Sequence, residues 1–269
     1  RPMPSAIGRA RIRLVVLLMI LAIAAPAGLA AARYPEYWKW IALEETPMTW
    51  LQTVLLIVAA AGCGVIAVIG SVREWRFTAR FPYLALALGF TYLALDDRFA
   101  LHERLRDRIL APRDIRIPGL TWLAPGDFQM LLTAVAGLCV LPFVLRALRT
   151  DRLALVLFGL GALIAAVSIG MDSIDPSTMP LDGERLEQTA EECLELLADC
   201  FFVAAVGVRL LGLLAEASWP ESRTRTIEKA GAPDTAIPAP ERRPAEPAFP
   251  TEERTALTAE AIDAYAAHR

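Results

Sequence analysis

Residues 181–216 read LDGERLEQTAEECLELLADCFFVAAVGVRLLGLLAE, and this stretch decides the class of fold. From 191 onward it is apolar enough and long enough to be a membrane span, since crossing the hydrocarbon core takes roughly 20 mostly apolar residues. Its start carries a second signal. At 100° per residue Glu184, Glu187, Glu191, Glu195 and Asp199 fall within an arc of roughly 120°, with Glu192 at the edge. Cys193 and Cys200 lie on the opposite face. Like charges four residues apart repel on a helix, so the stripe requires compensation by a cation, a shared proton or basic partners. Glu184 and Glu187 read as a solvated lead-in. Glu195 and Asp199 sit in apolar surroundings, which favours a functional role.

Outward from this stretch, five further segments are apolar over membrane length: 13–32, 48–70, 82–101, 128–147 and 153–171. The fold class that follows is all-α, a polytopic transmembrane helical bundle of about six spans over residues 1–216. The composition agrees. Of 269 residues 55% are hydrophobic, against about 45–50% in soluble domains, and the mean hydropathy is +0.43. A soluble enzyme, a disulfide scaffold and a nucleic-acid-binding domain are excluded. A net charge of -3 offers no basic field to phosphates. The cysteines Cys63, Cys139, Cys193 and Cys200 lie inside apolar runs and form no Cys-x-x-Cys pair, so they read as small buried hydrophobes. Only Lys39 and Lys229 are lysine among 27 basic residues. That bias, with abundant alanine, points to a GC-rich bacterial genome.

The first span has a rival reading as a secretory signal, because Arg9, Arg11 and Arg13 precede a short apolar run ending in small residues. A retained helix is favoured, since the run continues through Ala32 and meets Tyr34, Tyr37, Trp38 and Trp40, an interfacial aromatic belt. Short loops set the orientation. Arginines 1, 9, 11 and 13, then 73, 76 and 80, then 146, 149 and 152 fall on one side of a six-span protein. The positive-inside rule makes that side cytoplasmic, giving a bacterial inner-membrane protein with both termini inside. Loop 102–127 resists the rule with five arginines; a helix continuing over 98–110 and ended by Pro112 would account for it. Beyond 217 the chain is rich in Pro, Ala, Glu and Arg. Residues 217–269 are expected to be a disordered cytoplasmic tail, able to bind a protein partner.

Under this topology only Glu74 and Asp151, among the acids between residues 36 and 199, face the cytoplasm. The rest gather at the outer side. Thr46 and Pro47 mark the start of the second helix, as N-cap and first helical residue. Glu44 and Glu45 then complement its dipole at the mouth. At the end of the third span Tyr92, Asp96, Glu103 and Asp107 would share one face of a continuous helix, with His102 nearer Arg98. Asp96 follows a long apolar stretch, a costly depth for an ionisable group. Asp172 and Asp175 read as capping or turn residues before Pro176. The cytoplasmic halves of the spans show almost no polar residues.

These placements make Asp96, Glu103, Glu191, Glu195 and Asp199 candidate ligands of a divalent metal ion near the outer face, with His102 and Glu45 secondary. Oxygen-rich sites suit hard divalent cations, and one imidazole suits manganese or iron. Three uses stand as alternatives: proton or cation transport, metal-dependent hydrolysis of a lipid, and a scaffold acting through its tail. Gly-x-Ser-x-Gly and His-Glu-x-x-His are absent, and no di-iron Glu-x-x-His pair occurs in the membrane portion. The bilayer is the one certain surrounding, and no nucleic-acid partner is expected.

The arrangement Leu95-Asp96-Asp97-x-Phe99-x-x-His102-Glu103, followed by Glu191-Glu192-x-x-Glu195, resembles a pattern in uncharacterised bacterial multi-pass membrane proteins. The resemblance covers roughly residues 40–215. It implies the same clustering of acids and assigns no reaction.

Overall fold

A computed structural model describes residues 5–43, 45–113, 128–172 and 180–217. Among them the chain is helical, without a strand. Helices cover every apolar segment: α1 (Ser5–Ala32), α2 (Pro47–Val72), α3 (Phe77–Phe99), the short α4 (Leu101–Leu105), α5 (Phe128–Leu148), α6 (Arg152–Asp172) and α7 (Leu181–Ala217). Four stretches are long and apolar enough to cross a membrane: Ala6–Ala32, Pro47–Val72, Arg152–Met171 and Leu181–Ala217; Leu132–Leu148 is a shorter apolar helix. The chain is a membrane protein. Arg80 at one end of α3 and Asp96, Asp97 and Arg98 at the other shorten its apolar length. The tail 218–269, loop 114–127, Glu44 and Asp175 lie outside the described residues.

Helix α2 begins where its sequence says it should. Pro47 occupies the first turn after Thr46, where a missing N–H costs nothing. The Thr46 side chain makes no capping bond; its hydroxyl lies 3.4 Å from that of Thr49 instead. Helix α7 starts about ten residues before its membrane-length apolar run. At 1.5 Å per residue its 37 residues extend about 55 Å, well beyond a hydrocarbon core of about 30 Å. The acidic first turns need not lie in lipid.

Helix α7 is the axis of the bundle. It packs against α1, α2 and α6, while α2 pairs with α3. In its apolar window 72% is buried, against 11% for α1, which is attached along one side. Close approach depends on two glycines. A Cβ at Gly62 would meet Val206 Cγ1 at 2.5 Å, and one at Gly207 would meet Leu14 Cδ2 at 2.5 Å. Gly62→Val is expected to destabilise the bundle by about 1–3 kcal/mol through overpacking. Gly64→Val, where nothing lies within 4 Å, is expected to change little. Thermal midpoints of the two detergent-solubilised variants check this pair.

Contacts define two ends of the bundle. At one, Arg11 of α1 is ion-paired with Asp151, at the start of α6, both side chains being 8% exposed. At the same end Arg73, which caps α2, donates to Leu213 O at 3.2 Å and pairs with Glu216 at 3.4 Å. Arg80 donates to Ser71 Oγ at 2.8 Å. At the other end Arg104 pairs with Glu45 at 3.9 Å, and the Arg185 guanidinium stacks 4.5 Å from the Trp38 ring. Helices α1, α3 and α6 therefore run one way along the bundle, and α2 and α7 run the other. Near Trp38, Lys39 donates to Glu36 at 2.7 Å, and this hydrogen bond holds the Glu36 carboxyl below its ordinary range.

Two expectations are corrected. Helix α3 does not run on continuously past residue 99. Ala100 is left-handed at φ 44° and ends it; α4 follows, then a π-helical turn over Arg106–Leu110 and a 3₁₀ turn over Ala111–Arg113. Asp96 and Glu103 consequently do not share the face that a continuous helix would give them. The end marked by Arg11 is also not apolar: Arg11, Tyr83, Asp151 and Arg209 are all buried there.

Candidate functional site

Helix α7 supplies most of the site, at the end marked by Glu45. Going inward along it, Glu191, Glu192 and Glu195 are half-buried and Asp199 is buried at 8% exposure. The 3.6-residue period keeps Glu191, Glu195 and Asp199 on one side of the helix.

Each neighbouring helix answers with a polar group. Gln52 of α2, 1% exposed, donates its amide to Glu192 Oε2 at 3.0 Å and to Glu192 O at 3.2 Å. Ser168 of α6, also 1% exposed, donates to Glu195 Oε1 at 3.2 Å. Helix α3 brings buried Asp96 and half-buried Asp97. Asp97, Glu195 and Glu192 are the carboxylates within electrostatic range of Asp199. Asp199 itself makes no hydrogen bond or ion pair with any described residue. Two carboxylates are thus oriented by neutral donors, and the innermost has acids as its charged neighbours among the described residues.

The candidate ligands sort as follows. Asp96, Glu191, Glu195 and Asp199 lie at this end of the bundle, the first and last buried. Glu45 is at the mouth, with its side chain 62% exposed beside Arg104, and has a left-handed backbone at φ 60°. The side chains of His102, Glu103, Asp107 and Asp172 lie outside the described residues. Among the described residues no three His, Cys, Asp or Glu side chains come together to hold a metal ion. The cysteines are all free; Cys63 and Cys200 are buried.

Sequence reasoning missed Gln52, Ser168 and Asp97 as members of the site. The usable signal was a lone Gln52 in the second turn of an apolar span, where polar residues are expensive. It also missed a second polar group at the far end. Arg209, 6% exposed in the apolar half of α7, pairs with Glu216 at 3.4 Å. Its Nε is buried without a hydrogen-bond partner among the described residues. Arg209 and Tyr83 line a cavity of about 10 Å³ together with Cys63, Phe158 and Val206. An isolated arginine inside an apolar run was the signal there.

Residues 10–210 match the model of a family described as a domain of unknown function, DUF8692. The match covers most of the chain, which belongs to that family. No curated protein and no solved structure matches it.

Proposed function

We propose that this DUF8692 member is a bacterial inner-membrane protein, with both termini cytoplasmic, whose carboxylate-rich site near the outer face binds a cation. The observation that carries this reading is Asp199, buried within range of Asp97, Glu192 and Glu195 and given no counter-charge by any described residue. A buried carboxylate without a partner is costly in a low-dielectric interior, and a bound cation removes the cost. Ser168 and Gln52 act as outer-shell donors that orient Glu195 and Glu192 for it. Asp96, Glu103, Glu191 and His102 complete the proposed ligand set, and Glu45 marks the entrance. Oxygen ligands favour a hard divalent ion, or manganese or iron if His102 takes part. Residues 217–269 are proposed as a separate cytoplasmic tail that engages a protein partner.

Metal analysis of the detergent-purified protein tests the reading, wild type beside Glu195→Gln/Asp199→Asn. Near-stoichiometric metal in wild type, lost from the double variant at equal yield, is the expected result. No metal in either protein sinks it. One observation favours a second reading, in which Asp199 carries a proton instead: no three ligating side chains meet among the described residues. An infrared carbonyl band of a protonated carboxyl, present in wild type and lost in Asp199→Asn, is what that reading requires.

A further inference from the structure

The turn between α2 and α3 is fixed by its backbone. Glu74 follows Arg73 in the left-handed region at φ 55°, and the amides of Glu74 and Trp75 donate back to Ser71 O at 3.0 Å and Gly70 O at 2.8 Å. This pair of bonds closes a helix end tightly and sets Arg76 at the N-cap of α3. The first turn of α3 carries no acid, although a helix N-terminus favours negative charge. Turns 71–81 and 146–152, at the same end of the bundle, together hold six arginines and two acids. Asp151 is taken by Arg11, Arg73 pairs with Glu216, and Arg80 donates to Ser71. Arg76, Arg146 and Arg149 are exposed, and neither Glu74 nor any other described acid pairs with them.

An aromatic strip adjoins these arginines. Phe81 of α3 meets Phe143 of α5 edge to face, with ring centroids 5.9 Å apart, and Phe77 lies 6.1 Å from Phe81. The contact covers little of the rings: Phe77 stays 61% exposed, Phe143 52% and Phe81 36%. Arg146 follows Phe143 by three residues, on the same side of α5 and one turn nearer the end where Arg76 stands. Deeper in the bundle Leu84 and Leu88 of α3 are exposed too. From Phe77 to Leu88 the strip runs about 16 Å, half of a hydrocarbon core of about 30 Å. We infer that this face of α3 and α5 binds one anionic phospholipid of the adjoining leaflet, its phosphate held by Arg76 and Arg146 and its acyl chains laid along Phe77, Phe81 and Phe143. The unpaired charge suits any anion and the apolar strip suits any lipid; an anionic phospholipid supplies both, one after the other along the helix axis. Arginine takes phosphate oxygens bidentately, and basic groups beside membrane spans select acidic headgroups. The cation site at the opposite end plays no part in it.

Native mass spectrometry of the delipidated full chain in detergent tests the site, with phosphatidylglycerol, phosphatidylcholine and inorganic phosphate as probes. One phosphatidylglycerol is expected to bind about tenfold more tightly than phosphatidylcholine, or better, and inorganic phosphate not to displace it. Arg76→Gln/Arg146→Gln is expected to bring phosphatidylglycerol down to the phosphatidylcholine level. Phe77→Ala, at an exposed position, is expected to weaken both lipids about threefold or more, and it stands in should the arginine pair not yield folded protein. Arg9→Gln/Arg13→Gln removes the same charge at the same end from α1, which packs on α2 and α7, and is expected to change nothing. Equal affinity for the two lipids, displacement by inorganic phosphate, or binding untouched by Phe77→Ala overturns the proposal. So does an equal loss in the α1 variant, which would reduce the arginines to a general surface charge.

Discussion

Asp151→Ala is expected to lose about 3–5 kcal/mol of stability, the cost of leaving a buried guanidinium without its counter-charge. Asp151 pairs with Arg11 across a separation of 140 residues, and the pair is almost wholly buried. The same carboxylate accepts the Ala154 amide at 3.3 Å, so it also caps α6; its loss adds roughly 1 kcal/mol. The two contributions separate by substitution. Asp151→Asn keeps an acceptor for the cap and should recover only that part. Arg11→Met/Asp151→Leu removes both charges and should return most of the remainder, because well-packed apolar residues commonly replace a buried ion pair without loss. Unfolding of the purified protein in mixed micelles, followed by circular dichroism, measures all three. A double variant no more stable than Asp151→Ala would show that Arg11 matters for something other than this pair.

Asp199→Asn is expected to have the opposite sign. It removes a negative charge from among Asp97, Glu192 and Glu195 at a position where no described residue offers compensation. In metal-free buffer the variant should gain about 1–3 kcal/mol, the scale of relieving one unsatisfied buried polar group. Cation or proton uptake should be abolished in the same protein. Stability gained as binding is lost marks a residue retained for function. A variant less stable than wild type in metal-free buffer would make Asp199 a structural residue.

The helical bundle was legible because its signals are local. Apolar run length placed α2, α5 and α6 to within a few residues, and Thr46-Pro47 placed the start of α2. The acidic side of α7 follows from period alone. What escaped depends on which faces meet. Gln52 and Glu192 are as far apart in sequence as Arg11 and Asp151, and nothing in either segment names its partner. Ser168 is an ordinary serine in an apolar helix until Glu195 is set against it. Hydropathy placed only the membrane span of α7, from 191, because it reports where lipid starts; the acid period from Glu184 marked the helix ahead of it. The turn at Ala100 was hidden for a different reason. A left-handed residue is commonly glycine, and alanine gives no warning of one.

The ion pair that fastens α1 also carries a consequence for biogenesis. During synthesis the counter-charge of Arg11 emerges 140 residues after it. Gly207, the residue on which Leu14 closes, comes later still. Helix α1 must therefore wait in the bilayer, with its guanidinium drawn toward the headgroups, until α6 and α7 have been inserted. Docking of α1 then follows the insertion of α6 and α7. A nascent chain arrested before Asp151 should leave α1 open to capture by cross-linking to insertion factors and lipid.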